Sequence, residues 1–465
     1  MDRIGRTLRL RGLALLAALL LAGCSSLPRI VPDMALPREP VRLEGAGGRM
    51  LSVAQSRAIL DRLSAGGRDT SIFDRHLALE QELAGRPLTA GNRAVLLEDG
   101  PATYAAMFAA IEGARDHINM ETYILDDDAT GRRFADALIA RQQAGVQVNL
   151  IHDSVGTLRT PRPFFDRLKA AGVNVLEFNP VNPLTAKAGW DVNQRDHRKI
   201  LVVDGRTAFL GGINISGVYS GSSFGQSGRP SGSAKDLPWR DTDLQLTGPV
   251  VADLQRFFVE TWQQQKGAPL AACDYFPPLQ ASGDEVVRAI ASSPDDPFSA
   301  IYATFISAIN SAESEILLTN AYFVPDPQLV DALIAAVARG VDVRMVLPST
   351  TDSWLVFHAG RGHYDRLLEG GVKLYEREDA LLHSKTALID GVWSTVGSTN
   401  LDWRSFLHNQ EVNAVILGAG FGQRMRASFE QDVAASRAIT LEAWRQRPLS
   451  DRLKEAFGRL WEYWL

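Results

Sequence analysis

Two short stretches of this sequence carry the same residues at the same offsets. The first is His197-Arg-Lys199, then Ile-Leu-Val-Val, Asp204-Gly205, and a return through Gly211-Gly-Ile-Asn214. The second is His383-Ser-Lys385, then Thr-Ala-Leu-Ile, Asp390-Gly391, and a return through Gly397-Ser-Thr-Asn400. With each His as zero, Lys falls at +2, Asp at +7, Gly at +8 and +14, and Asn at +17. Imidazole serves as a nucleophile or as an acid near neutral pH. Lysine brings positive charge, and the Asn amide brings hydrogen-bond donors. A phosphodiester passing through a five-coordinate state gathers charge on its equatorial oxygens, and two Lys with two Asn suit that charge. No cluster has metal-ligand spacing, so the expected chemistry uses neither a metal nor another cofactor. Asp126-Asp127-Asp128 is the one run of three acids and reads as a solvated loop.

The elements that must position these residues follow from the same stretches. The four residues after each Lys read as a buried strand, and Asp-Gly reads as a hairpin turn. Residues i and i+2 of a strand share a face, so each His and its Lys point the same way. The returning strand then delivers Asn beside them.

A wider duplication surrounds the motifs. His117-Ile-Asn-Met-Glu-Thr-Tyr123, Asp136-Ala-Leu-Ile-Ala140 and Ala144-Gly-Val-Gln-Val-Asn-Leu150 are echoed by Glu315-Ile-Leu-Leu-Thr-Asn-Ala-Tyr322, Asp331-Ala-Leu-Ile-Ala335 and Arg339-Gly-Val-Asp-Val-Arg-Met345. Each copy reads strand, helix, glycine stop, strand, with Gly145 or Gly340 closing the helix. Strands alternating with helices predict an α/β fold in which a mixed sheet is flanked by helices. The copies start about 195 residues apart, at Asp136 and Asp331. A Gly/Ser-rich segment, Ser220 to Ala234, interrupts the first copy and reads as a surface loop.

At the motif residues the sequence resembles the phospholipase D superfamily, whose signature is a duplicated His-x-Lys-x4-Asp element. The resemblance covers about residues 91–435. It implies two tandem α/β modules related by a pseudo-two-fold axis and sharing one active site. It makes His197, Lys199, Asp204, His383, Lys385 and Asp390 the catalytic set, with Asn214 and Asn400 on the phosphate. By position, His197 matches the family's phosphohistidine-forming nucleophile and His383 its general acid. The family also places a carboxylate after each motif to orient a His, and Glu411 and Asp241 match those positions. Three stretches look like bacterial cardiolipin synthases and related phosphatidyltransferases: Arg195-Asp-His-Arg-Lys199 with its Gly-rich return, Ala321-Tyr-Phe-Val-Pro325, and Asn400-Leu-Asp-Trp-Arg-Ser-Phe406. Glu121 and Tyr123 fit the first-strand pattern of the same group. Asp243 departs from it, standing where many members carry a less acidic residue. The implied activity is phosphatidyl transfer on phospholipids such as phosphatidylglycerol and phosphatidylethanolamine. Transfer to water would make the chain a phospholipase D that yields phosphatidic acid. A non-catalytic lipid-binding lipoprotein is the reading from another class, although both motif sets are intact.

The first residues read as a targeting segment. Arg3, Arg6, Arg9 and Arg11 precede an uncharged run from Gly12 to Gly23 that is too short to span a bilayer. Leu21-Ala22-Gly23-Cys24 resembles the bacterial lipobox, in which Cys24 is lipidated and becomes the new N-terminus. Ser25 then favours the outer membrane, so the expected location is the cell envelope, lipid-anchored and facing the periplasm. The chain has 465 residues, 45% of them apolar and 22% charged, which excludes a disordered or collagenous protein. Two cysteines, Cys24 and Cys273, exclude a disulfide framework. A net charge of −5 argues against a nucleic-acid partner. A duplicated chain can complete its site alone, so a monomer is expected. The sequence divides into a signal peptide (1–23), a tether with a helical segment (24–90), module one (91–272), module two (273–436) and a C-terminal helical segment (437–465). The last of these carries Leu453, Phe457, Leu460, Trp461 and Trp464 at helical spacing, a stripe that suits a membrane surface but is expected to pack on the domain.

Overall fold

The computed structural model describes residues 27, 40–65, 70–182, 191, 193–223 and 237–465. Cys24 and the lipobox lie outside the described residues, as does all of the Gly/Ser-rich segment beyond residue 223.

The first module builds its sheet from β1 (Thr89–Glu98), β2 (His117–Thr122), β3 (Gln147–Asp153), β4 (Asn174–Phe178), β5 (Ile200–Val203), β6 (Thr207–Gly211) and β7 (Thr242–Thr247). β2, β3 and β4 run parallel, and β5, β6, β7 and β1 continue the sheet antiparallel from β2. The second module repeats this with β8 (Glu285–Ser292), β9 (Glu315–Asn320), β10 (Asp342–Pro348), β11 (Lys373–Arg377), β12 (Lys385–Ile389), β13 (Trp393–Gly397) and β14 (Asn409–Leu417). Here β9, β10 and β11 are parallel, and β12, β13, β14 and β8 follow antiparallel from β9. The two half-sheets meet where β1 pairs antiparallel with β8. The topology is therefore duplicated, as the repeated sequence requires.

The helices cover the outer faces for reasons visible in the chain. α1 (Ala129–Gln143) is capped by Asp128, whose side chain accepts from Gly131 N–H at 2.9 Å. Asp128 also accepts from Gly217 N–H, so the acidic run is a cap and a loop tie, not a free solvated loop. Its counterpart α2 (Pro327–Ala338) has Asp326 as cap and Pro327 in the first turn. Both helices end before a glycine with positive φ, +91° at Gly145 and +92° at Gly340. These are positions where a side chain would be strained.

The motif strands are apolar on both faces because both faces are covered. In β5, Leu201 and Val203 face the helices of their own module, while Ile200 and Val202 join a core shared between modules. In β14, Val412, Ala414 and Ile416 face the same shared core, and Val415 and Leu417 turn to the helices of module two. Fully burying each such side chain contributes roughly 1.5–3 kcal/mol. The active site forms at one end of this shared core.

The C-terminal stripe departs from expectation. α3 (Trp354–Arg361) and α4 (Leu449–Arg459) pack together, but Leu453, Phe457 and Leu460 face solvent instead of the domain.

Candidate active site

Each motif begins just before a hairpin strand, and each hairpin turns as the Asp-Gly pair dictates. Asp204 and Gly205 have φ of 53° and 60°, and Asp390 and Gly391 have 51° and 72°. Two successive positive φ values match the right-handed twist of the hairpin.

The two His residues are held by a crossed arrangement. A short strand, Arg195–Asp196, runs parallel to the start of β14. His197 N–H thereby donates to the Gln410 carbonyl at 3.0 Å. The next residue, Glu411, places its carboxylate against His197 Nδ1 at 3.0 and 3.1 Å. On the other side, Trp239–Arg240 runs parallel to Leu381–Leu382. His383 N–H donates to the Arg240 carbonyl at 2.7 Å, and Asp241 meets His383 Nδ1 at 2.6 Å. Each His therefore takes its carboxylate from the opposite module. A carboxylate only accepts, so each Nδ1 donates to its carboxylate; Lys385 Nζ also lies 3.0 and 3.2 Å from the two ring nitrogens of His383.

The cavity holds about 400 Å³ and is lined by His197, His383, Asn214 and Asn400 together. Lys199 and Lys385 are buried beneath the rings, and each Nζ donates to the carbonyl of its own motif His at 2.5 Å. Asn214 Nδ2 donates to Tyr219 Oη at 3.0 Å, while Asn214 Oδ1 accepts from Ile124 N–H at 3.1 Å. Asn400 Oδ1 is buried without a hydrogen-bond partner among the described residues.

Asp204 and Asp390, expected in the catalytic set, are not part of this constellation and do not line the cavity. They lie at the far ends of β5 and β12, beyond the reach of the cavity. Asp204 accepts from the backbone N–H groups of Arg115, Asp116 and His117 at 2.8–3.1 Å. Asp390 accepts from those of Glu313, Ser314 and Glu315 at 2.8–3.2 Å. Each Asp fastens the turn that enters the central parallel strand, β2 or β9. The signature Asp is thus a brace for the scaffold.

Burial sets the electrostatics of the site. It pulls Lys199 down to about 7 and Lys385 down to about 8, against the opposing pull of Glu411 and Asp241. Burial, aided by the two lysines, holds His197 well below the usual imidazole value. Burial pushes Glu411 up to about 7, although Lys199 and the Ser398 hydroxyl favour its charged form. His383 is also lowered by burial and by Lys385, with Asp241 opposing. Asp243, which stands out by its acidity, is pushed up to about 8 by burial and by Asp241. Its Oδ1 accepts from Ile213 N–H at 3.1 Å. At the equivalent place in module two, Asn413 Oδ1 accepts from Thr399 Oγ1 at 2.8 Å. A carboxyl kept neutral does the work of an amide there.

Several residues at the site were not marked by the motif spacing. Tyr123 faces His197 with ring centroids 5.1 Å apart, and Trp239 faces His383 at the same separation. Tyr219 Oη lies 3.4 Å from His383 Nδ1. Tyr322, Asp352, Asp402 and Arg404 also line the cavity. Tyr123 and Tyr322 end the first stretches of the duplication, which is a usable signal; Tyr219 has no counterpart at that offset in the second copy. His152 is a packing residue: it stacks on Phe165 at 3.9 Å and burial pulls it down to about 3.

Residues 107–219 and 305–433 match the family described as cardiolipin synthase, PLD-like domain. The chain is 34% identical over 389 residues to the cardiolipin synthase of Geobacillus kaustophilus, covering 83% of this chain and 74% of that one. It belongs to the cardiolipin synthase family of phospholipase D-like enzymes. Cardiolipin synthase A of Pseudomonas putida is 35% identical over 385 residues, covering 82% of this chain and 76% of that one. The fold matches a crystal structure of phosphatidylserine synthase from Haemophilus influenzae with a TM-score of 0.60 at 14% identity, over 83% of this chain and 99% of that one. Both family segments contain one of the His-x-Lys pairs, so the matched segments carry the halves of the shared cavity.

Proposed function

We propose that this member of the cardiolipin synthase family transfers a phosphatidyl group between alcohols through a phosphohistidine. The carrying observation is the pair of His residues over one cavity, each braced by a carboxylate of the opposite module. His197 Nε2 attacks the phosphorus, and the bond to the leaving alcohol breaks. His383 gives that alcohol its proton. An acceptor hydroxyl then loses its proton to His383 and displaces His197. Lys199, Lys385, Asn214 and Asn400 hold the charge on the phosphoryl oxygens. Phosphatidylglycerol and phosphatidylethanolamine are the expected substrates, and phosphatidylglycerol as acceptor gives cardiolipin.

The test is lipid mass spectrometry on purified protein supplied with those two lipids. Cardiolipin formed by the wild type and lost in His197→Ala and His383→Ala is the expected result. Phosphatidic acid as the sole product would replace the transferase reading with hydrolysis, and full activity in either variant would remove the mechanism.

The lipobox supports a further part of the proposal: an enzyme lipidated at Cys24, facing the periplasm from the outer membrane. The crossed braces lie within one chain, which supports a monomeric site. The net charge of −5 supports a lipid over a nucleic acid as substrate. Labelling with an alkyne fatty acid, lost in Cys24→Ser, and sedimentation of the label with outer membranes test the anchor.

A further inference from the structure

The helix α4 is mounted with Glu455 and Gly458 inward. Glu455 is 2% exposed, pairs with Arg447 at 2.9 Å and lies 3.8 Å from Arg361. Just beyond the helix, Glu462 pairs with His363 at 3.1 Å. Gly458 seats the helix closely on α3, since a Cβ there would fall 2.6 Å from the Ala359 nitrogen. The opposite face carries the apolar stripe into solvent. Leu453, Phe457 and Leu460 are 64%, 50% and 77% exposed, and Trp461 follows at 47%. Trp354 extends this surface from α3, with its ring centroid 6.3 Å from that of Phe457. A helix that only packs on its domain has the reverse orientation.

Two observations identify what covers this surface. First, Arg452, Lys454 and Arg459 are exposed along α4 while Glu455 is buried; Asp451 pairs with Lys454 at 2.9 Å and Glu462 lies 3.7 Å from Arg459, so cations still outnumber acids on the exposed side of the helix. Second, the patch runs into the active-site cavity: Trp464 lines that cavity, and so do Ser353 and Val356 beside Trp354. We propose that this surface docks on an anionic phospholipid bilayer and sets the cavity mouth against the lipid. The proposal rests on the reading that the substrate is a phospholipid. The apolar stripe enters the boundary between headgroups and acyl chains, and the three cations lie at the level of the phosphates. Tryptophans are favoured at that depth. A second copy of the chain is a poorer occupant, because a two-fold contact brings like charges of the two helices together.

The experiment uses the chain carrying Cys24→Ser, so that no acyl anchor contributes, with vesicles of phosphatidylethanolamine and brominated phosphatidylglycerol. Tryptophan emission is expected to be quenched on binding, and Trp461→Phe to remove part of that quenching. Leu453→Gln, Phe457→Gln and Leu460→Gln combined are expected to weaken vesicle binding by at least about tenfold. Turnover of a monomeric short-chain phospholipid by the same variant should stay within about twofold of wild type, which also reports that it folds. Unchanged vesicle affinity in the triple variant would overturn the proposal. So would a concentration-dependent dimer that the triple variant abolishes, without lipid binding. Vesicle binding that survives while no phospholipid is turned over would support the docking face and overturn the substrate reading instead.

Discussion

The crossed bracing makes a prediction that chain order alone would reverse. Asp241 lies in module one with His197, yet it holds His383 of module two. Asp241→Asn keeps the size of the side chain and removes its charge. An ion pair at about 4 Å between charge centres is worth about 4 kcal/mol at an effective dielectric of 20. Each 1.36 kcal/mol is a factor of ten, so the step that needs the His383 imidazolium should slow by about a thousandfold. That step is protonation of the leaving alcohol, and it depends on how basic the leaving group is.

The assay compares two phosphatidyl esters, one with glycerol and one with p-nitrophenol as leaving group. Nitrophenolate leaves without a proton. Asp241→Asn should therefore lose about a thousandfold on the glycerol ester but release nitrophenol in a stoichiometric burst. Turnover after the burst should be slow, because His383 must also accept the proton of the incoming alcohol. Glu411→Gln weakens the support of the nucleophile and should slow both esters alike, with no burst. If Asp241→Asn gave no burst and Glu411→Gln did, the roles of the two His would be interchanged. If Asp241→Asn turned over the glycerol ester at the wild-type rate, the bracing argument would fail.

Three further outcomes follow from the same geometry. Burial pulls Lys199 to about 7 and Lys385 to about 8, so both are charged at lower pH and lose charge as pH rises through those values. kcat/KM should thus fall as pH rises through 7 to 8, and Lys199→Arg, which removes the group that loses its charge first, should move the start of that fall from about 7 toward about 8; an unmoved limb would refute this cause. A Cβ at Gly212 would fall 2.1 Å from Asp241 Oδ1, so Gly212→Ala should lower kcat by about a hundredfold or more, measured on a variant whose circular dichroism is unchanged. Asp204→Ala should cost about 3 kcal/mol in urea unfolding, since three backbone N–H groups lose a charged acceptor, while KM of the folded protein stays at its wild-type value.

The duplication, the strand-hairpin geometry of each motif and the assembly of His197, His383, Asn214 and Asn400 were legible in the sequence, because period-two alternation and an Asp-Gly turn are local rules. The brace partners were legible as residues but not as pairs. Which His Glu411 or Asp241 serves is decided by the short parallel contacts of Arg195–Asp196 and Trp239–Arg240, which join segments about 140 to 215 residues apart. No local rule reports such a contact. Asp204 and Asp390 misled for the opposite reason. Their spacing recurs because the hairpin recurs, and the structural demand of three N–H groups at the strand entrance is as strict as a catalytic one. The C-terminal stripe misled because helical amphipathicity says that a face is apolar, not which side the protein occupies.

The departures from internal symmetry gather around the two His residues, and they have a chemical direction. The scaffold repeats strand for strand, yet Glu411 faces Asp241, Ser398 faces Gly212 and Asn413 faces Asp243 across the pseudo-two-fold. Burial pushes Glu411 up to about 7, and burial with the charge of the two lysines holds His197 well below the usual imidazole value, which favours its neutral form. Asp241 approaches His383 at 2.6 Å and accepts from Thr242 N–H at 2.8 Å, and its carboxylate opposes the burial and the Lys385 charge that lower His383. Asp243 beside it is held neutral by burial, so it adds no second negative charge to that pair. A symmetric site would give both His the same proton affinity and leave neither poised for its half of the reaction. The duplicated fold supplies two equivalent positions, and the proposed division into a nucleophile and an acid rests on these few unequal neighbours.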